Sequence, residues 1–193
     1  MNRQLRIPVN VVVNCKRMNS FYQAFYQLIN AIEESLSKER IVPALILIYS
    51  GIDSISFLAE RGDLKGRTVF KNWGKKWMLQ KYPLQCNETD IYSARCSLLH
   101  QQTSESDLTQ NNEAKEIYYT WGNANIDILK NAINNSPKQD SSVAIRIEDL
   151  FRSFRLGIAD CIDAINENEV WRDLFKEKAK RLFISVKYEI NNN

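Results

Sequence analysis

The chain has 193 residues, 44% of them hydrophobic and 25% charged, with a formal net charge of +3. That length supports one sizeable core in a single domain over residues 1–193, and the composition excludes wholesale disorder. The mild positive charge neither demands nor excludes nucleic acid, because affinity for phosphate depends on clustered cations more than on totals.

In chain order, "MNRQLRIPVNVVVNCKRMN" carries only a short apolar run broken by Pro8 and Asn10, and does not read as a signal peptide. Residues 20–39 place Phe21, Phe25, Leu28, Ile29, Ile32 and Leu36 at helical spacing, with Asn19 or Ser20 as the N-cap. Pro43 opens a second helix, "PALILIYSGIDSISFLAERG", apolar on most sides and therefore expected at the centre of a bundle. Gly51 and Asp53 interrupt it. Its apolar stretch, residues 41–52, is shorter than the roughly 20 residues that span a bilayer. A third helix follows Thr68, with Phe70, Trp73 and Trp77 on one side and Lys71, Lys75 and Lys76 on the others. That mixture resembles a stacking-plus-charge surface for nucleic acid, although tryptophans so spaced are more often core. Asn87 suits the N-cap of the next helix, "ETDIYSARCSLLHQQ", whose Glu88 and Asp90 complement the helix dipole.

Beyond a polar loop, "IYYTW" is strand-like and "IDILKNAI" helical; a small β element is expected at 116–121 or near the N-terminus. The stretch "NNSPKQDSS" at 134–142 is the best linker candidate. Two further helices should bury Leu150, Phe151, Phe154, Ile158, Cys161, Ile162 and Ile165 over 147–166, and Val170, Leu174, Phe175 and Leu182 over 168–186. The last also presents Lys176, Lys178, Lys180 and Arg181. The fold class is mostly α. Cys15, Cys86, Cys96 and Cys161 have no C-x-x-C spacing and only one histidine to join them, so no metal site and no cofactor is expected. Reduced cysteines without a leader point to the cytoplasm and away from the membrane.

The one histidine, His100, follows Arg95 by five positions on the capped helix. On a regular α-helix the two diverge by roughly 140° and stand about 7.5 Å apart along the axis, so a shared site needs the helix end or a second chain. Imidazole near neutral pH can give or take a proton, and guanidinium matches a phosphate bidentately, which together suit phosphodiester cleavage. Blander readings stand beside this one: His100 at the negative end of a helix, Arg95 paired with Asp90 or Glu88, and Asp53 as a buried carboxylate paired for packing specificity. Cys96, four residues before His100, is either a small apolar residue or half of a Cys/His nucleophilic pair.

"YSARCSLLH" resembles the R-x4-6-H signature of the HEPN superfamily, in the order, spacing and helical setting of Arg95 and His100 and in the preceding Tyr92. The resemblance covers roughly residues 20–105. It implies a HEPN-like helical bundle over 20–133 with a C-terminal helical extension, 143–190, packed on it. It also implies a metal-independent endoribonuclease of toxin–antitoxin or phage-defence type, acting on RNA as a homodimer. An antitoxin or nucleotidyltransferase is then a possible partner. Arg95 and His100 become the catalytic residues, and Asp53 the candidate for the acidic residue that some members carry on an earlier helix. Cys96 departs from the polar residue that often follows the arginine. The alternative is a non-catalytic HEPN-like module that binds a partner or a nucleotide.

Overall fold

The computed structural model describes residues 18–101, 103 and 105–180, with the backbone alone at 18–20, 100 and 101. Expectations for Cys15, Arg181, Leu182 and an N-terminal β element fall outside the described residues. The apolar stripe of the first helix, α1 (Met18–Ser37), buries Phe21, Phe25 and Ile32 against α2 (Ile41–Ala59). Asn19 and Ser20 lie inside α1 and are not its cap, because the helix is already formed at Met18.

Ile48, Tyr49, Ile52, Ile55 and Leu58 of α2 are fully buried, since the helix is contacted by α1, α3 (Arg67–Trp73), α7 (Ile147–Glu167) and α8 (Glu169–Ala179). As 19 helical residues, α2 is long and apolar enough to cross a membrane by length and composition, and the expectation that its apolar run is too short does not hold. Half of it is buried inside this fold. Gly51 leaves room for side chains from two neighbouring helices: a Cβ there would stand 2.5 Å from Phe154 Cζ and 2.8 Å from Leu28 Cδ2.

The third helix, α3 (Arg67–Trp73), widens into a π-helical segment, Gly74–Leu79. Trp73 and Trp77 are only 4% and 6% exposed, so they are core and offer no face for base stacking. Trp73 Nε1 donates to Cys161 Sγ at 3.4 Å on α7 (Ile147–Glu167). Gly157 of α7 lets that helix lie directly on the π segment, where a Cβ would meet the Trp77 carbonyl oxygen at 2.9 Å. Helix α4 (Glu88–Cys96) continues as a second π-helical segment, Ser97–Gln101, and α5 (Asp107–Gln110) is a single capped turn.

β1 (Glu116–Thr120) and β2 (Ser142–Arg146) pair in parallel, with Glu116 opposite Ser142 and Thr120 opposite Arg146; α6 (Ile126–Asn134) makes the crossover. Two parallel strands need a connection of this length, which an antiparallel hairpin would not. The hydroxyls of Tyr49 and Tyr119 hydrogen-bond and join the sheet to α2. The stretch at 134–142 is thus a turn inside one β-α-β unit, not a linker between domains.

α8 (Glu169–Ala179) buries Trp171, Phe175 and Ala179, while Val170 and Leu174 face outward at 72% and 41% exposure. The expected apolar face is therefore rotated by about one position. The reason lies at the end of α2, whose last carbonyls have no partner within their own helix. Trp171 Nε1 donates to the Ala59 carbonyl at 2.8 Å, and Lys178 Nζ reaches the carbonyls of Phe57 and Glu60. Satisfying these fixes which side of α8 faces inward. Side chains of α7 and α8 join those of α1 to α4 in one continuous apolar cluster. The molecule is mostly α-helical with a small two-stranded sheet, as the sequence pattern implies.

Candidate active site

The helix that carries the Arg95 motif is fixed at its start by Asn87. Its Oδ1 accepts from the backbone N–H of Thr89 at 2.7 Å and of Asp90 at 3.1 Å, while Asp90 Oδ2 accepts from Asn87 N at 2.8 Å. This reciprocal box satisfies donors that a helix start leaves orphaned. The second oxygen of Asp90 accepts from Lys115 N at 2.6 Å, anchoring α4 to the residue before β1. Asp90 is fully committed there and does not pair with Arg95, and Glu88 instead lies 3.7 Å from Lys75. Midway along α4, Ile91 enters the core and Ser93 Oγ meets Ser106 Oγ at 2.6 Å, which ties the returning loop to the helix.

Arg95 turns toward α2. Its Nε and Nη2 both lie 2.6 Å from Asp53 Oδ2, a charge-assisted pair in which two donors converge on one carboxylate oxygen. The side chains are 21% and 33% exposed, so the pair is shielded but reachable from solvent. Partial burial opposes the Arg95 charge, yet the hydrogen bonds and attraction of Asp53 outweigh it and hold the guanidinium above its ordinary pKa. Asp53 thus has a physical reason to interrupt an apolar helix: it faces the one cation that α4 presents to it.

Cys96 and Tyr92 complete the neighbourhood. Arg95 Nη1 approaches Cys96 Sγ at 4.0 Å. The Tyr92 ring packs edge-on against Phe70, centroids 5.4 Å apart, and the Arg67 guanidinium carbon lies 5.8 Å from its centroid. Burial and then the contact with the Cys96 thiol push the Tyr92 hydroxyl up, against the pull of Arg95 and Arg67. The structure therefore brings together Arg95, Asp53, Tyr92 and Cys96. The side chain of His100 lies outside the described residues; its backbone is in the π-helical segment.

That segment changes the geometry expected of the motif. A π-helix closes i→i+5 hydrogen bonds, so positions five apart lie more nearly one above the other than on an α-helix. The backbone from Ser97 to Gln101 therefore reduces the angular separation of positions 95 and 100 below the roughly 140° of a regular helix. Ser97 sits at the transition, buried, its Oγ donating to the carbonyls of Ser93 at 3.2 Å and Ala94 at 3.1 Å, a side-chain back-bond that competes with the helical ladder.

Beside this cluster lies a solvent-open recess of about 290 Å³ lined by Arg67, Thr68, Lys71, Asn72, Lys75 and Glu88, of which the sequence reading singles out Lys71 and Lys75 but not Arg67. Its signal in the sequence is three cations, Arg67, Lys71 and Lys75, at four-residue intervals, on positions that Phe70, Trp73 and Trp77 leave free. Compared with known proteins, the chain matches no family model, no curated protein and no solved structure.

Proposed function

We propose that this chain is a metal-independent endoribonuclease of HEPN type, with Arg95 and His100 as its catalytic residues. The observation that carries the reading is the contact between Asp53 and Arg95: a carboxylate singled out on one helix meets the arginine of the motif on another. In the reaction, His100 takes the proton of the ribose 2′-hydroxyl, whose oxygen attacks the adjacent phosphorus. The P–O5′ bond breaks and the departing oxygen is protonated, leaving a 2′,3′-cyclic phosphate and a 5′-hydroxyl. Arg95 stabilises the charge that grows on the phosphorane-like oxygens. Asp53 is a positioning residue that holds the guanidinium. The RNA supplies its own nucleophile, so the scheme needs no metal or cofactor. A homodimer that apposes two motifs would provide a second histidine as the acid. Action in the cytoplasm as a toxin or phage-defence effector, with an antitoxin or nucleotidyltransferase partner, belongs to the same proposal.

One observation favours the other reading, a non-catalytic interaction module: two of the Arg95 donors are already engaged by Asp53. Incubation of wild type, His100→Ala and Arg95→Ala with total RNA in excess EDTA separates the two. Cleavage by wild type alone, with cyclic-phosphate ends, is expected. Undiminished cleavage by His100→Ala sinks the proposed mechanism, and no cleavage by folded wild type leaves the interaction module.

A further inference from the structure

We propose that the recess on α3 binds the phosphate backbone of a single-stranded RNA next to the Arg95 site, an inference that rests on the ribonuclease reading for what happens to the strand. Arg67, Lys71 and Lys75 all line the recess, and the opposite side of their helix is locked into the core by Phe70, Trp73 and Trp77. The cations therefore stand on a rigid base, which reduces the ordering cost of binding.

The recess is joined to the motif through Tyr92. Arg67 lies over the ring of this tyrosine, three residues before Arg95 on α4. Tyr92 and Arg95, three residues apart on α4, are neighbours along the surface of that helix. Cationic side chains thus run from Arg95, with Asp53 against it, past Tyr92 to Arg67, Lys71 and Lys75.

The counter-charges are weak. Arg67 meets Glu113 at 3.3 Å with both side chains exposed, and Lys75, also exposed, meets the more shielded Glu88, itself part of the recess lining, at 3.7 Å. Such pairs contribute under about 1 kcal/mol and yield readily to a phosphate. Lys71 has no acidic partner among the described residues. Thr68 and Asn72 add neutral donors suited to phosphate oxygens. With Trp73 and Trp77 buried there is no stacking platform in the recess, so recognition here is of the backbone and not of base identity. A flexible single strand also allows the in-line approach of the 2′-oxygen that cleavage requires.

The test uses a fluorescent 2′-O-methyl oligonucleotide, which keeps every phosphate and blocks the nucleophile, so binding is read apart from cleavage. Fluorescence anisotropy between roughly 50 and 200 mM salt compares wild type, Lys71→Gln/Lys75→Gln and Lys176→Gln, a control lysine on α8. The double variant should bind about tenfold more weakly, with the slope of log K against log salt reduced by about 1.4, while the control matches wild type. Absence of binding by wild type, or equal binding by the double variant, overturns the recess. His100-dependent cleavage of ordinary RNA, assayed in parallel, judges the nuclease reading independently. Binding through the recess without such cleavage overturns that reading and leaves the recess standing as a strand-binding site.

Discussion

Replacing Asp53 with asparagine isolates what the carboxylate does for Arg95. The change keeps size and one acceptor oxygen but removes the charge that two guanidinium donors share at 2.6 Å. Hydrogen bonds to charged groups contribute about 1.5–3 kcal/mol each when shielded. The pair is 21% and 33% exposed, so solvent screening reduces this to about 1–2 kcal/mol for the whole substitution. In a chain of this length that lowers Tm by roughly 2–8 °C. The effect on catalysis is separate: a guanidinium displaced by about 1 Å costs up to 100-fold in rate. On the ribonuclease proposal, Asp53→Asn should therefore lower kcat for RNA by about 10- to 100-fold with KM nearly unchanged, measured well below Tm on protein shown to be folded. Double-mutant cycles with Arg95→Gln should give a coupling of about 0.5–3 kcal/mol in stability. A variant that loses stability but keeps full kcat refutes the positioning role and makes the pair purely structural.

Two further outcomes follow from the packing. Burial, with the nearby Asp90 adding to it, pushes the Cys86 thiol up to about 12, and burial pushes Cys161 up to about 11. Both folded values exceed those of the unfolded chain, so above about pH 8.5–9 the unfolded state sheds protons that the folded state keeps. Stability is complete below that range and falls by up to about 1.4 kcal/mol per pH unit per thiol as pH rises toward the folded values. Urea unfolding from pH 8 to 10.5 should show a shallower fall in Cys86→Ala than in wild type, and parallel curves would count against the assigned burial. Gly157→Ala should destabilise by about 1–3 kcal/mol, because its Cβ meets the Trp77 carbonyl at 2.9 Å and backbone must move; a neutral thermal melt would contradict that approach.

Helix order, the cap at Asn87 and the core positions of α1 and α7 are legible because they rest on local chemistry: 3.6-residue periodicity and a side chain that satisfies its neighbours' N–H groups. Asp53 was legible as an anomaly, an acid in an apolar helix, but its partner was not. The pairing of α2 with α4 depends on how every intervening element packs, and Asp90 and Glu88 were nearer in sequence and equally suited in charge. The phase of α8 is not legible for a related reason. Val170 and Leu174 are as apolar as a core position needs, and only the unmet carbonyls at the end of α2 select Trp171 and Lys178 instead. The widening at Ser97 escapes periodicity altogether, since i→i+4 and i→i+5 ladders differ by one residue and the choice turns on a back-bonding serine and the loop that Ser106 pins beside it.

These irregularities converge on one place, and that convergence bears on function more than any of them alone. An apolar residue at position 53 would stabilise α2 at least as well as this partly buried ion pair, because such pairs recover little beyond their desolvation cost. A regular helix through residues 97–101 would keep the stronger i→i+4 ladder that the π-helical segment gives up. Departures from local rules cluster where something other than stability is being served. Here the carboxylate, the guanidinium, the widened turn and the cationic recess all adjoin α4. The helix has its other contacts settled, with Asp90 holding its start, Ile91 its core face and Ser93 the returning loop. What remains is a side chain held in one orientation at a solvent-facing edge. The proposed role of Arg95, meeting a phosphate in a defined geometry, requires this.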